Sequence, residues 1–104
     1  MHIDPHRDEH NVIVTDNKAA HRYEAQVNGS LAVITYRRSG DRLTLIHTEV
    51  PRDLEGQGIA ARMARFALED ARARGLLVIP LCPFVASYIR RHPEYQDLVP
   101  PGEL

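Results

Sequence analysis

Hydrophobic and polar positions alternate through most of the first half of the chain. Val12 to Thr15 is a short β-branched run, and Tyr23 to Val27 is a second extended stretch. Leu31 to Arg38 and Arg42 to Val50 follow as longer ones. The breaks between them carry turn chemistry: Asp16-Asn17-Lys18, Asn28-Gly29-Ser30 and Ser39-Gly40-Asp41. An Asn-Gly pair between two extended runs predicts a hairpin, because both residues tolerate positive φ. Four antiparallel strands in a meander are therefore expected. Strict alternation in the fourth predicts Leu43, Leu45, His47 and Glu49 on one face, with Thr44, Ile46, Thr48 and Val50 on the other.

Past Pro51 the period lengthens to about 3.6 residues. From Gly58 to Arg74, Ile59, Met63, Phe66, Ala67 and Ala71 make an apolar face, with Arg62, Arg65, Glu69 and Arg72 opposite. Asp70 is a misfit on the apolar side. Gly75 is placed to stop this helix. Leu76 to Leu81 is almost wholly apolar, as expected of a strand covered on both faces. Pro83 then opens a short helix, about Phe84 to Arg91, which ends before Pro93. Pro93 to Val99 is expected to be irregular or extended. The fold class is mixed α/β (α+β): an antiparallel four-stranded meander, a helix, a parallel strand and a short helix.

At 104 residues the chain is sized for one domain, here residues 12–99, between an N-terminal tail (1–11) and a C-terminal tail (100–104). His2, His6 and His10 recur every fourth residue in the first tail, a metal-binding spacing on a helix. Pro5 lies among them and no apolar residue anchors the segment, so a solvated tail is expected and no metal site. Thirteen basic and fourteen acidic side chains nearly cancel, which argues against nucleic acid or an anionic membrane as partner. One cysteine forbids an internal disulfide and suits a reducing compartment. No signal peptide or membrane-spanning run is visible, so a cytoplasmic location is expected.

The segment Glu55-Gly56-Gln57-Gly58-Ile59-Ala60 lies between a strand and a helix. Its glycines let the backbone turn sharply, and the first amides of the helix lack intrahelical partners, so the loop is suited to hold a phosphate. A plain strand-to-helix turn explains the same residues. The loop resembles that of the GNAT superfamily, Gln/Arg-x-x-Gly-x-Gly/Ala, with Gly58 and Ala60 in the last two positions and Glu55 where Gln or Arg is usual.

A closer resemblance spans about residues 12–99. The blocks His47-Thr48-Glu49-Val50-Pro51, Leu54 to Ala60, Cys82-Pro83-Phe84-Val85, Tyr88-Ile89 and His92-Pro93-Glu94-Tyr95 are similar to the minimal single-domain GNAT-like acetyltransferases, the Yjd-type proteins. That resemblance implies a truncated GNAT fold that binds acetyl-CoA or CoA, with a proposed active-site cysteine, here Cys82. It also implies that pantetheine enters where the strand ending near Glu49 parts from the strand ending at Cys82. Thr48 and Val50 would then pair with the pantetheine amides, as though the ligand added a strand.

The implied activity is acetyl transfer from acetyl-CoA to an unidentified amine, on a small molecule or a protein. A non-catalytic CoA-binding module or adaptor is the alternative. Candidate catalytic residues are Cys82, His47, Glu49 and Tyr88. A thiol near a helix N-terminus is favoured as thiolate, and His47 would deprotonate it if close. In direct transfer His47 or Glu49 takes the proton. Tyr88 matches a tyrosine that many GNAT proteins use to protonate the departing thiolate. Each also has a bland reading: a small core residue for Cys82, a hydrogen-bonded histidine for His47, core packing for Tyr88. Candidate cofactor contacts are Thr48, Val50, Glu55, Gly56, Gln57, Gly58, Ile59, Ala60, Pro83 and Arg91, the last beside Arg90 and His92 as a phosphate partner. A monomer or weak dimer is expected.

Overall fold

A computed structural model describes residues 12–104. The N-terminal tail and its three histidines lie outside the described residues. A single five-stranded sheet runs in the order β1-β2-β3-β4-β5. The strands are β1 (Val14–Asn17), β2 (Arg22–Val27), β3 (Ser30–Ser39), β4 (Arg42–Glu49) and β5 (Leu77–Pro80). The first four pair antiparallel with their neighbours, and β5 lies parallel to β4. This is the mixed architecture that the meander and the change of period predict.

The β2–β3 hairpin closes through Val27↔Ser30, with Asn28 at φ 51° and Gly29 at φ 82°. Both central residues are left-handed, the geometry that matches strand twist and selects Asn-Gly. Helix α1 (Ile59–Ala73) follows a short 3₁₀ turn, Arg52–Leu54, and crosses over to β5. Its end is a Schellman motif: Leu76 N–H donates to Ala71 O (2.9 Å) and Gly75 N–H to Arg72 O (3.2 Å), with Gly75 at φ 68°. Helix α2 (Pro83–Arg91) carries Pro83 in its first turn.

All the helices pack on one face of the sheet. Tyr23, Ala25, Ala32, Ile34, Tyr36, Leu43, Leu45 and Val78 from the strands meet Ile59, Met63, Ala67, Leu68, Ala71, Val85 and Ile89 in one cluster. The opposite face presents residues such as Arg22, Glu24, Thr35, Arg37 and Thr44, and no helix among the described residues covers it.

Four local expectations are corrected. The first strand is Val14–Asn17, not Val12–Thr15, and the turn is 18–21. Asp16 and Asn17 read as turn formers, but tertiary partners hold both in the strand. Tyr36 donates its hydroxyl to Asp16 Oδ1 (2.6 Å), and Asn17 Nδ2 donates to Glu24 Oε2 (2.9 Å). The last strand is shorter than Leu76–Leu81 and is covered on one face only. Val78 and Pro80 are buried, while Leu77 and Ile79 are half-buried at the sheet edge. Phe66 is 38 % exposed; the buried stripe of α1 runs instead through Ala64 and Leu68. Residues Pro93–Leu98 form a 3₁₀ segment rather than an extended end. Three-residue repeat places Tyr95 and Leu98 on the same, buried side.

Asp70, the misfit of α1, has a partner. Tyr23 donates its hydroxyl to Asp70 Oδ2 (2.9 Å), and Arg74 Nε donates to Asp70 Oδ1 (3.1 Å). Arg74 Nη2 reaches Asp16 Oδ2 (3.3 Å) as well. The network ties β1, β2 and β3 to the last turn of α1. No helix among the described residues is long and apolar enough to cross a membrane.

Candidate active site

The register between β3 and β4 breaks once. Tyr36 faces Leu45 and Thr35 faces His47, so Ile46 is an extra residue on β4. A bulge reverses the alternation beyond it. Leu43 and Leu45 face the helices, and past Ile46 that face is taken by Thr48 and Val50. His47 and Glu49 are turned to the uncovered face, where they are 60 % and 69 % exposed. The expected grouping of His47 and Glu49 with Leu43 and Leu45 is therefore overturned. Strict alternation cannot anticipate a residue that the neighbouring strand skips.

The same stretch is where β4 and β5 part. Their ladder runs from Arg42↔Leu77 to Leu45↔Pro80. One further bond, Cys82 N–H to Leu45 O (2.9 Å), closes it. Beyond this point β4 continues to Glu49, and no strand among the described residues lies beside it on that side. Cys82 lies in the fork. It is 2 % exposed, flanks the N-terminus of α2, and its Sγ is 2.9 Å from Thr48 Oγ1. The partner of His47 is Glu49, Nε2 to Oε2 at 3.3 Å, on the other side of the sheet. The structure thus pairs Cys82 with Thr48 and does not bring His47 to the thiol.

Across the fork stands the glycine loop. Gly56 and Gly58 have φ of 82° and 74°, a region that other residues enter only with strain. Gly58 flanks the start of α1 and its carbonyl accepts from Arg62 N–H (3.2 Å). The amides of Ile59, Ala60 and Ala61 precede the first intrahelical bond and have no partner within the helix. With the helix dipole they form an anion site. Gln57 does not turn inward to the loop; its Nε2 donates to Asp53 O (3.2 Å).

Three recesses join around this loop. The middle one, about 310 Å³, is lined by Val50, Leu54, Glu55, Gly56, Gly58, Ile59, Ala60, Ala61, Phe84 and Arg91. At one end it shares Val50, Glu55, Ala60 and Phe84 with a recess of about 580 Å³ that also holds Leu31, His47, Thr48, Glu49 and Pro51. At the other it shares Gly58, Ala61 and Arg91 with a recess of about 410 Å³ that holds Gln57, Arg62, Arg65, Tyr88 and His92. Shared walls make one groove: acidic and histidine-bearing at one end, glycine-rich in the middle, arginine-rich at the other.

Most of the expected site residues border this groove. Cys82 and Pro83 do not: the thiol lies beneath Thr48, and Pro83 lies in the first turn of α2. Tyr88 borders only the arginine-rich end. Its ring stacks on His92, with centroids 3.9 Å apart and planes at 17°, and His92 Nδ1 is 2.8 Å from Tyr88 O. Burial pushes the Tyr88 hydroxyl pKa up. Phe84 was not singled out from the sequence, yet it walls both the middle and the acidic recess. The signal was present: Phe84, Tyr88 and Arg91 recur at i, i+4 and i+7 and so share one helix face. Among the described residues no group of three His, Cys, Asp or Glu side chains could hold a metal ion.

The chain is similar to known proteins in sequence and in fold. The family model described as GCN5-related N-acetyl-transferase matches residues 22–98. Protein NATD1 of Mus musculus is 31 % identical over 88 residues, covering 82 % of this chain and 80 % of the relative. Protein NATD1 of Homo sapiens is 31 % identical over 88 residues, covering 82 % and 78 %. The solution structure of a GCN5-like protein from Staphylococcus aureus superposes with a TM-score of 0.67 at 27 % identity, covering 86 % of this chain and 89 % of that one. On these matches and on the forked sheet that carries the groove, the chain belongs to the GCN5-related N-acetyltransferase family.

Proposed function

We propose that the protein transfers an acetyl group from acetyl-CoA to an amine. The observation that carries this reading is the continuous groove from His47 and Glu49, past the fork, to the glycine loop and the arginines. The residues present fit acetyl-CoA in three ways. The amides of residues 59–61 suit its diphosphate. Arg65 and Arg91 suit its remaining phosphate, which guanidinium groups bind in bidentate fashion. The unpartnered edge of β4 at Thr48 to Val50 suits the two amides of pantetheine, with Val50 and Phe84 flanking the chain. Bound there, acetyl-CoA supplies an acyl carbon already activated as a thioester.

His47 and Glu49 act on the acceptor. They line the wide, open recess at the end of β4, where a primary amine approaches as its ammonium ion. Glu49 attracts the cation, and His47 Nε2 or the Glu49 carboxylate takes the proton that makes the nitrogen nucleophilic. Thr48 holds the Cys82 thiol against the base of the fork. A second reading has one specific support: Sγ lies at the fork itself and beside a helix N-terminus, so Cys82 carries the acetyl group in transit. The open acceptor recess suits a protein amine, the acceptor class we favour, and the enzyme works as a monomer or weak dimer in the cytoplasm.

Release of CoA thiol from acetyl-CoA, measured against a panel of amines and lysine peptides, tests the proposal. Amine-dependent release supports an enzyme. A thermal shift with acetyl-CoA but no release with any amine leaves a CoA-binding module, and the absence of any shift overturns both. Labelled acetyl retained on Cys82, together with lost turnover in Cys82→Ala, selects the covalent route. Full turnover in Cys82→Ala removes it.

A further inference from the structure

The far end of the sheet holds a separate cavity of about 210 Å³, at the opposite end of β4 from the groove. Tyr36 and Leu43 form part of its floor, Arg74 lies in its wall, and Lys18, His21 and Arg38 stand at its rim. Leu43 and Thr48 lie on the same strand, so roughly 15 Å of β-strand separates this cavity from the fork.

Charge at the cavity is divided unevenly. Asp16 is the carboxylate in its wall, and both its oxygens are engaged, Oδ1 by the Tyr36 hydroxyl (2.6 Å) and Oδ2 by Arg74 (3.3 Å). Arg74 also pairs with Asp70 (3.1 Å), so one guanidinium is shared by two carboxylates, and the cations left over are those at the rim. The Lys18 carbonyl accepts a backbone bond, but the side-chain ammonium has no hydrogen bond or ion pair among the described residues. Arg38 makes one bond, from Nε to Gly40 O (3.1 Å), which leaves its terminal nitrogens without a protein acceptor there. Two cations thus stand over an aromatic and aliphatic floor.

The rim is also held in a costly conformation. His21 is a non-glycine residue at φ 56°, which costs of the order of 1–3 kcal/mol. Two backbone bonds hold it there, His21 N–H to Lys18 O (3.3 Å) and Tyr36 N–H to His21 O (2.9 Å). The result is an imidazole edge-on to the Tyr36 ring, with centroids 6.2 Å apart at 90°.

We propose that this cavity binds a small aromatic carboxylate, its ring against Tyr36 and Leu43 and its carboxylate on Arg38 and Lys18. An arginine fork and a carboxylate match in geometry, and a flat ring fills an apolar floor bordered by tyrosine. The volume corresponds to about seven water molecules, room for one ring and its carboxylate. The site is independent of the acetyl-CoA groove, so occupancy of one leaves the other open.

Benzoate and its neutral analogue benzamide are the probes, titrated into the full chain and followed by backbone amide NMR. Benzoate is expected to give saturable shifts at His21, Tyr36, Arg38, Leu43 and Leu76, and benzamide to bind at least roughly ten-fold more weakly. Arg38→Gln and Lys18→Gln, both at exposed positions, are expected to weaken benzoate to a similar degree while the rest of the spectrum stays in place. Shifts that do not saturate overturn the proposal. So do equal responses to the two probes, or an affinity unchanged in both variants. Acetyl-CoA binding, followed at the amides of residues 56–61, reads the other site separately.

Discussion

At one end of the sheet, Tyr23 and Tyr36 send their hydroxyls to Asp70 and Asp16, and Arg74 joins the two carboxylates. At the other end, β4 and β5 part, and a helix begins with amides that no part of the helix accepts. At the tied end the tyrosine hydroxyls and carboxylates satisfy one another within the protein, and the rim cations Lys18 and Arg38 are left for a ligand; at the splayed end it is the backbone amides that are left. In the tied end a sheet edge, two strands and a helix terminus depend on one another, so its side chains bear on stability. In the splayed end the side chains are mostly exposed, and the backbone carries the site.

The largest effect expected from this contrast is at Tyr23, which is 1 % exposed. Tyr23→Ala removes a buried ring and leaves Asp70 short of a donor, a loss of about 3–5 kcal/mol in urea unfolding. The folded fraction should bind acetyl-CoA as before. Loss of binding there would show that the two ends are not separable.

Gly58→Val is the counterpart at the splayed end. No atom lies within 4 Å of a Cβ built at Gly58, but φ is 74°, so the free protein should lose only about 1–2 kcal/mol. What should disappear is the ligand's contribution, about 2.7 kcal/mol at a hundred-fold excess over Kd. Thermal scans with and without acetyl-CoA measure both. A retained ligand shift would remove the glycine loop from the site.

Tyr36→Phe keeps the ring and deletes the bond to Asp16. A hydrogen bond to a charged partner is worth about 1.5–3 kcal/mol, so unfolding should fall within that range with no change in the acetyl-CoA shift. The tied end also predicts sensitivity to alkali. Burial, followed by the hydrogen bond to Asp16, pushes the Tyr36 pKa up to about 12. Burial and the bond to Glu69 do the same for Tyr95, and burial raises Tyr23 further still. Raised pKa values mean that the folded state holds these protons more tightly. Stability is therefore intact below pH 10 and falls as pH climbs from about 10 to 12. The fall should be shallower in Tyr36→Phe.

The smallest stability effect belongs to His47→Ala. The side chain is 60 % exposed, and stability should move by no more than about 0.5 kcal/mol. Amine-dependent release of CoA thiol should nevertheless drop by about 10²–10⁴ if His47 is the proton acceptor. A drop matched by Glu49→Gln assigns the role to the pair. An unchanged rate in both assigns it to neither.

Much of the chain was legible from local pattern. Asn28-Gly29 announced its hairpin, Gly75 the end of α1 and Pro83 the start of α2, because each depends on backbone conformations that few residues adopt. The glycine loop before a strongly amphipathic helix was legible for the same reason. Boundaries set by distant partners were not. Asp16 and Asn17 carry turn chemistry, and only the Tyr36 hydroxyl and Glu24 hold them in a strand. Phe66 and Leu68 are both apolar on α1, and only the packing of the sheet decides which is buried.

The candidate site divides the same way. Residue types and spacing left bland readings open for His47, Cys82 and the loop 55–60, and the resemblance to the minimal GNAT-like acetyltransferases is what singled them out. Which of them meet is a matter of register between strands. One extra residue, Ile46, turned His47 and Glu49 to the open face and Thr48 onto Cys82. A bulge arises from how β3 pairs with β4, and the fork from where β5 stops following β4. Neither is a property of any single segment, so tertiary structure alone decided them.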